Sequence, residues 1–263
     1  MIAILSECGL SQERIRLQEE RNKAALQTQK ERLQANLLRA VSHDLRTPLT
    51  NISGSADMLM QEESELDPAI RKKLYTAIYD DTNWLINMTE NLLVATHLET
   101  DKESFKMSPE LIEDLFQSVV AHLDRRAAEH HISVHLEDAT LMAAMNARLI
   151  QRVIINILNN AIQYTPKESN IELSAVKKGN VVQISVTDDG PGIPDDAKRH
   201  LFDLFYTAGQ GKADCQRGLG LGLNLCQSIV AMHGGKIDVL DHMPAGTTFQ
   251  FTLPLVSAEE MKY

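Results

Sequence analysis

The chain has 263 residues, of which 43% are hydrophobic and 24% are charged, and this composition is typical of a folded protein of one or two domains. Its formal net charge of -10 argues against a surface that binds nucleic acid or an anionic membrane, because both need clustered basic residues. The spacing of Cys8, Cys215 and Cys226 does not suit a metal site, which favours reduced thiols without a structural role. No apolar run approaches the roughly 20 residues that a membrane-spanning helix needs.

Two long helices are predicted in the first hundred residues. Strong helix formers without Gly or Pro fill residues 11–38, and we expect this helix to continue to about residue 60. Its apolar seam recurs at steps of 3, 4 or 7 residues, at Leu38, Leu45, Leu49, Ile52, Ala56 and Leu59. A second helix, from Pro68 to about residue 99, has a similar seam at Ile70, Leu74, Ile78, Leu85, Met88, Leu92 and Ala95. One hairpin cannot bury both seams, so we expect two copies to pair as a four-helix bundle.

Helices and strands mix in the second half of the chain, beyond a polar linker at residues 101–109. Periodicity predicts helices at about residues 111–130, 146–164, 197–204 and 221–233. It predicts strands at about residues 132–136, 170–176, 181–187, 236–240 and 247–253. Because this order lacks regular βαβ units, the predicted fold class is α+β.

The string Ser-His-Asp-Leu-Arg-Thr-Pro-Leu at residues 42–49 brings three chemically useful side chains together on the first helix. If its leucines lie on the buried seam, His43, Asp44 and Thr47 point away from that seam, and His43 and Thr47 lie one turn apart. A neutral imidazole is nucleophilic, and an adjacent carboxylate can accept one ring proton and leave the other nitrogen free to attack a γ-phosphate. Considered alone, His43 has a simpler interpretation as a solvent-exposed residue on a charged helix face.

Two motifs in the second half suit a nucleotide, although each also has a purely structural interpretation. Asn156 and Asn160 lie four residues apart on a predicted helix and place two amide oxygens, which suit magnesium, on one face. Helix capping would explain this pair equally well. Asp188 follows a predicted strand and could accept a hydrogen bond from the exocyclic amine of adenine, while Gly190 and Gly192 would let the backbone approach the ring. A tight turn is the alternative for these two glycines.

A third motif consists of three glycines ahead of a predicted helix. Gly218, Gly220 and Gly222 would expose backbone N–H groups that bind phosphates with the help of the helix dipole. The polar stretch before them predicts a mobile lid, in which Lys212 and Arg217 are either phosphate contacts or solvated charges.

Taken in this order, the motifs resemble the phosphoacceptor box and the N, G1, F and G2 boxes of the sensor histidine kinases of two-component systems. The resemblance runs from about residue 37 to residue 255. Within that family the chain looks most like the carboxy-terminal kinase part of Kdp-type potassium-responsive sensor kinases. The resemblance implies that His43 is phosphorylated, that Asp44 is the acidic activator, and that Thr47 orients a water that dephosphorylates the partner.

The same resemblance implies a fold class for each half of the chain. A helical-hairpin dimerisation domain, which forms a four-helix bundle in the dimer, would be followed by an α/β-sandwich ATP-binding domain of the type shared with DNA gyrase and heat-shock chaperones. The implied limits are an N-terminal signalling helix at 1–36, a dimerisation and histidine-phosphotransfer domain at 37–100, a linker at 101–109, a catalytic ATP-binding domain at 110–256 and a tail at 257–263.

ATP and Mg²⁺ are the ligands that the resemblance implies. Asn160, helped by Asn156, would hold magnesium, Tyr164 would line the nucleotide and Asp188 would read adenine. The glycines of the third motif would form the lid hinge and the phosphate loop. Gln163 departs from the pattern, because the family commonly has Lys or Arg there to neutralise phosphate charge, so we expect weaker ATP binding at this position.

The implied partners are a second copy of the chain and the receiver domain of a response regulator. The expected location is the cytoplasm, with the chain acting as the kinase core of a membrane-associated parent protein. Three alternatives stay open at this stage: an enzyme that mainly dephosphorylates its regulator through Thr47, a dimeric scaffold that binds ATP weakly or not at all, and a gyrase-like or chaperone-like ATPase. The last of these leaves the His43 helix without a purpose.

Overall fold

The computed structural model describes residues 16, 18, 21–22, 28, 42, 44–61, 66–100, 106–123, 125–203, 206, 220 and 222–256. The chain divides into two compact units, residues 1–86 and 87–263. Most of the predicted signalling helix, residues 101–105 of the predicted linker and the predicted tail lie outside the described residues. Among the residues that are described, no helix is both long enough and apolar enough to cross a bilayer.

Two helices, α1 (residues 44–61) and α2 (Pro68–Thr100), correspond to the predicted hairpin. Local sequence sets the start of α2. Oδ1 of Asp67 accepts the backbone N–H of Ala69 at 2.8 Å, which satisfies a donor that the first helical turn leaves unpaired. Pro68 follows at a position where its missing N–H costs nothing. The division between the two units falls within α2, whereas the predicted domain limit coincides with the last residue of that helix.

The buried face of α1 differs from the predicted seam at one position. Leu45, Ile52, Ala56 and Leu59 are buried or half-buried as expected. Leu49, however, leaves 54% of its surface exposed, and Pro48 is buried instead. Asp44 and Ser55 are also half-buried, and on a helix of 3.6 residues per turn they place the centre of the buried face nearer to Pro48 than to Leu49. In α2 the predicted seam position Ile70 is also 46% exposed. The buried or half-buried residues described in this helix are Arg71, Leu74, Ile78, Asp81, Asn83, Trp84, Leu85 and Met88.

The second unit is a mixed α/β domain. In chain order it contains β1 (Ser108–Leu111), α3 (Ile112–Ala121), a 3₁₀ helix (Arg125–Glu129), β2 (His131–Leu136), β3 (Met142–Met145), α4 (Ala147–Tyr164), β4 (Asn170–Lys178), β5 (Val181–Asp188), α5 (Asp195–Lys198), α6 (Gly222–Met232), β6 (Ile237–Asp241) and β7 (Thr247–Pro254). Five strands form one sheet in the order β2-β4-β5-β7-β6, and β1 pairs with β3 separately. Only the β2–β4 pair of the larger sheet is parallel.

The core of this unit lies between one face of the larger sheet and the helices α3, α4 and α6. Side chains alternate along each strand, as the period of two requires. In β7, Phe249, Phe251 and Leu253 are buried, whereas Gln250 and Thr252 face the other side. The sheet is therefore covered by helices on its apolar face and carries polar side chains on the opposite face. The predicted α+β fold with an α/β sandwich is confirmed.

Two strands were not predicted from the sequence. The strand β1 begins at Ser108, inside the predicted linker, and pairs with β3 in antiparallel register, with Pro109 opposite Ala144. The predicted helix at 111–130 is divided into α3 and the 3₁₀ helix, and the predicted helix at 197–204 overlaps α5 only at residues 197–198. The other predicted helices and strands of this unit are present, with shifted ends. The hairpin between β4 and β5 turns at Gly179, whose φ of 60° matches the Gly-first pattern of a two-residue turn.

Candidate functional site

A buried carboxylate lies at the end of β5. Asp188 is 8% exposed, and its Oδ1 accepts the backbone N–H of Gly190 at 2.9 Å and that of Thr247 at 3.3 Å. Burial raises the pKa of Asp188 above its ordinary value, although both N–H groups act in the opposite direction. Among the described residues nothing donates a hydrogen bond to Oδ2. This oxygen can therefore accept a hydrogen bond from a ligand.

Both oxygens of the neighbouring carboxylate, Asp189, accept hydrogen bonds from Asn170. The Asn170 backbone N–H donates to Oδ1 at 3.0 Å, and its side-chain Nδ2 donates to Oδ2 at 2.6 Å. The side-chain hydrogen bond is the largest cause that holds the pKa of Asp189 below its ordinary value. Asp189 thus ties the end of β5 to the start of β4, whereas Asp188 has an oxygen that accepts no hydrogen bond from the described residues.

Gly190 allows a close approach between two parts of the site. A Cβ at this position would lie 2.7 Å from Cγ2 of Thr165 and 2.9 Å from Oδ1 of Asp188. Thr165 stands at this point because α4 ends there: Pro166 favours extended backbone at the residue before it. The Thr165 hydroxyl also donates to the Ala161 carbonyl at 2.8 Å. The end of α4 and the turn after β5 therefore form one surface.

The helix α4 has one buried apolar face and one polar face. Its start is set by Asn146, whose side chain accepts the Leu149 N–H. The buried face consists of Ile150, Val153, Ile154, Ile157, Leu158, Ala161 and Ile162. On the other side, Asn156, Asn160 and Tyr164 follow one another at intervals of four residues, the first two half-buried and Tyr164 59% exposed. The polar face thus extends from Asn156 to the surface formed by Thr165.

The start of α6 packs against this polar face. Gly222 is the first residue of α6, and a Cβ there would lie 2.7 Å from Nδ2 and 2.9 Å from Oδ1 of Asn156. One turn later, the Cys226 thiol accepts a hydrogen bond from Nδ2 of Asn156 at 3.2 Å. Cys226 is 1% exposed, and its burial raises the pKa of the thiol to about 12. The prediction that the cysteines are reduced holds for Cys226, but the prediction that they have no structural role is wrong for this residue.

The other predicted glycines are described in part. Gly192 and Gly220 have φ values of 75° and 63°, a region that glycine adopts at little cost. The first turn of α6, which begins at Gly222, has N–H groups without helical acceptors and is suited to an anion. The predicted lid residues Lys212 and Arg217, and the predicted phosphate-loop residue Gly218, lie outside the described residues.

On the first unit, the phosphoacceptor string is only partly described. His43 lies outside the described residues. Ser42 and residues 44–61 are helical, Asp44 is half-buried and Thr47 is exposed. An exposed groove runs along α1 and is lined by Ser42, Leu45, Arg46, Leu49, Thr50, Ser53, Gly54 and Asp57.

Sequence reasoning missed three residues of the candidate site. Thr165 and Thr247 contact the turn after β5, and Cys226 contacts Asn156. One local signal points to Thr247, since it follows a glycine at the start of a strand; a Cβ at Gly246 would lie 1.9 Å from the Asp188 carbonyl oxygen. The other two carry no signal in the sequence, because their contacts join segments far apart in the chain.

The polar face of α4 fits a magnesium ion held together with nucleotide phosphates. Magnesium prefers oxygen ligands and usually keeps several waters. Nδ2 of Asn156 donates to Cys226, and Oδ1 accepts no hydrogen bond from the described residues. Within the described part of the chain, no group of three His, Cys, Asp or Glu could hold a metal. On this face, the amide oxygens of Asn156 and Asn160 are the candidate protein ligands.

Two family models match the chain. The His Kinase A phosphoacceptor domain matches residues 33–101, and the histidine kinase-, DNA gyrase B- and HSP90-like ATPase matches residues 145–257. The first match covers α1 and α2. The second covers the core of the sandwich, including the carboxylate after β5, the polar face of α4 and the start of α6.

Known proteins agree with these matches. Sensor protein KdpD from Clostridium acetobutylicum is 36% identical over 251 residues, and KdpD from Escherichia coli is 31% identical over the same length; each alignment covers 95% of this chain and 28% of the relative. The solved structure of histidine kinase ThkA in complex with the response regulator protein TrrA matches with a TM-score of 0.61 and 26% identity, over 86% of this chain and 64% of that one. The chain therefore belongs to the sensor histidine kinases, in which it carries a phosphoacceptor domain followed by an ATPase domain.

Proposed function

We propose that this chain uses ATP to phosphorylate His43 and then passes the phosphoryl group to an aspartate on the receiver domain of a response regulator. The observation that carries the proposal is that one chain has both an acceptor string, at residues 42–49, and a candidate nucleotide site. That site combines the buried carboxylate of Asp188, whose Oδ2 accepts no hydrogen bond from the described residues, with the amide oxygens on α4. A nucleotide site alone would serve an ATPase. The acceptor string provides a destination for the γ-phosphate.

In this proposal the adenine base binds where Asp188, Gly190 and Thr165 meet. Oδ2 of Asp188 accepts a hydrogen bond from the exocyclic amine. Guanine presents a carbonyl oxygen at the corresponding position, and two acceptors facing each other in a buried site leave both unsatisfied. The site should therefore prefer adenine. Tyr164, at the last residue of α4, lines the nucleotide.

The phosphates bind along the polar face of α4, beside the start of α6. Asn160, with Asn156, holds magnesium, which when bound offsets the negative charge of the phosphates. The N–H groups at the start of α6 and the loop with Gly218, Gly220 and Gly222 contact the phosphate oxygens. Lys212 and Arg217 supply positive charge from the lid.

The transfer itself needs a neutral imidazole. Asp44 accepts the proton of one ring nitrogen of His43, and the other nitrogen attacks the γ-phosphorus. An N–P bond forms while the bond between the γ-phosphorus and the bridging oxygen breaks, and ADP leaves. Thr47 is exposed on α1. It orients a water for the opposite activity, in which the phosphoryl group is removed from the aspartate of the regulator by hydrolysis.

The proposed partners are a second copy of the chain and a response regulator. Leu49 lies in the exposed groove of α1, and the apolar Ile70 is exposed on α2, which supports a second copy as the cover for these helices. A kinase–regulator complex exists for ThkA, which supports the regulator as a partner here. The proposed location is the cytoplasm, and membrane association of a longer parent protein stays a prediction.

The test is autophosphorylation with γ-labelled ATP and magnesium, for the parent protein and for His43→Gln. A phosphoramidate survives alkali and is lost in acid, so the parent should acquire an acid-labile label and the variant should acquire none. Label that persists in His43→Gln would refute the acceptor. If the parent binds ATP but takes no label, the regulator phosphatase becomes the better proposal, and if it neither binds nor labels, the scaffold does.

A further inference from the structure

The side chain of Asn156 is held by two residues of α6 that lie one turn apart. Gly222 brings its Cα against the amide group, since a Cβ there would overlap both Nδ2 and Oδ1 at 2.7 and 2.9 Å. Cys226 provides the sulfur that accepts the Nδ2 hydrogen bond at 3.2 Å. The amide of Asn156 is thus sandwiched against α6, a helix that begins directly after the proposed phosphate loop.

The hydrogen bonds of Cys226 determine which amide atom faces it. The thiol is buried, since Cys226 is only 1% exposed. Its single proton is directed to the Val153 carbonyl, with 3.8 Å between sulfur and oxygen. The sulfur therefore presents lone pairs to Asn156, and an N–H group is the complementary partner. Nδ2 must face the sulfur, which leaves Oδ1 without a hydrogen bond from the described residues.

We propose that Cys226 is a positioning residue, which holds the Asn156 amide so that its oxygen, and not its nitrogen, is presented to a magnesium–nucleotide complex. This inference rests on the proposed role of Asn156 in the nucleotide site. The two orientations of an amide have nearly the same shape, so packing alone does not select one of them. Only an oxygen can act as a ligand for the cation, because the NH₂ group presents hydrogens to it.

The expected size of the effect follows from the cost of ordering a side chain. Fixing a flexible side chain during binding costs about 0.5–1.5 kcal/mol, which corresponds to a change of roughly two- to tenfold in affinity. Cys226→Ala should therefore weaken binding of magnesium–ADP by roughly two- to tenfold. It should leave the binding of ADP without magnesium almost unchanged. Cys226→Ser keeps an acceptor at this position, so it should restore most of the affinity.

The experiment is calorimetry of ADP binding to the whole chain, with magnesium and with a chelator, and the quantity compared is the ratio of the two affinities. The variants are Cys226→Ala, Cys226→Ser, Asn156→Ala and the double variant. Cys226→Val, which keeps most of the volume but has no acceptor, replaces Cys226→Ala if the alanine variant does not fold. Ile229→Val, at another buried position of α6, controls for lost packing and should leave the ratio unchanged.

Three results together would support the inference. The ratio decreases in Cys226→Ala, it recovers in Cys226→Ser, and it does not decrease further when Cys226→Ala is added to Asn156→Ala. An effect of Cys226→Ala that is equal with and without magnesium, or that persists in the Asn156→Ala background, would overturn it. A ratio that is unchanged in Asn156→Ala would overturn it together with the proposed role of Asn156. The Asn156→Ala variant alone therefore distinguishes a failure of the role of Cys226 from a failure of the role of Asn156.

Discussion

Replacing Asp188 by Asn should affect nucleotide binding while it keeps the hydrogen bonds that this side chain makes within the fold. Oδ1 of Asp188 accepts the N–H groups of Gly190 and Thr247 at 2.9 and 3.3 Å. An Asn side chain has the same shape, and its amide oxygen can accept both hydrogen bonds. The amide nitrogen then occupies the position of Oδ2, where the proposed site needs an acceptor for the adenine amine.

We expect Asp188→Asn to bind ATP roughly 10- to 150-fold more weakly, because a hydrogen bond to a charged group contributes about 1.5–3 kcal/mol. The same substitution should weaken GTP binding less or strengthen it, since the new NH₂ group can donate to the guanine carbonyl. The ratio of ATP affinity to GTP affinity should therefore be smaller in Asp188→Asn than in the parent.

Although Asp188→Asn should bind ATP more weakly, its stability at pH 7 should not decrease. The folded-state pKa of Asp188 is raised above its unfolded value of about 3.8, mainly by burial, so the folded state holds the proton more tightly. Its contribution to stability is therefore lost as the pH rises through the window above about 3.8. Asn carries no charge, so at pH 7 the melting temperature of Asp188→Asn should equal or exceed that of the parent. The difference should shrink near pH 4.

The assay is calorimetric Kd measurement for ATP and GTP, with thermal unfolding at pH 4 and pH 7. Asp189→Asn is the matched control, because Asp189 has both oxygens occupied by Asn170. Its ATP affinity should stay near that of the parent, while its melting temperature should fall. The reasoning is refuted if Asp188→Asn binds ATP as tightly as the parent, or if Asp189→Asn loses the same affinity while it remains folded.

Three further predictions concern charge, chemistry and pH. Gln163→Lys should tighten ATP binding, because it adds a positive charge near the proposed phosphate site, and unchanged or weaker affinity by calorimetry would count against it. Thr47→Ala should retain autophosphorylation but lose dephosphorylation of a phosphorylated response regulator; hydrolysis at the parental rate would argue against the role of Thr47. The buried His233 donates from Nδ1 to the Ile229 carbonyl and accepts the Asn146 N–H at Nε2, and burial lowers its pKa below the ordinary 6.5. Stability should therefore decrease as the pH falls below about 6.5, and His233→Gln should show a smaller decrease in the free energy of unfolding between pH 7 and pH 5. Equal slopes in parent and variant would contradict this assignment.

The elements that carry the candidate site could be predicted because their signals are local. The helix α4 has an N-cap at Asn146 and a proline after its last turn, and its apolar residues recur with the period of a helix. The spacing of Asn156 and Asn160 on one face follows from that period alone. Asp188 was identified from its place directly after a strand, and β5 ends at that residue.

The strands β1 and β3 could not be predicted in the same way. Met142–Met145 reads Met-Ala-Ala-Met, and both residue types favour helices when the sequence is considered alone. This segment is a strand because it pairs with β1 and packs against the core, which are interactions with residues more than thirty positions away. The exposure of Leu49 and the burial of Pro48 likewise depend on what packs against α1.

The sequence by itself determined the family, the order of the two domains and the chemical groups available to bind ATP and accept phosphate, because these depend on residue type and short-range spacing. Tertiary structure decided which of two adjacent carboxylates keeps an oxygen for a ligand. Asn170 donates hydrogen bonds to both oxygens of Asp189, whereas Oδ2 of Asp188 accepts none from the described residues. It also decided the role of Cys226, which contacts Asn156 across 70 positions of the chain. Both outcomes result from hydrogen bonds between distant segments, and such contacts exist only after the helices and the sheet have packed together.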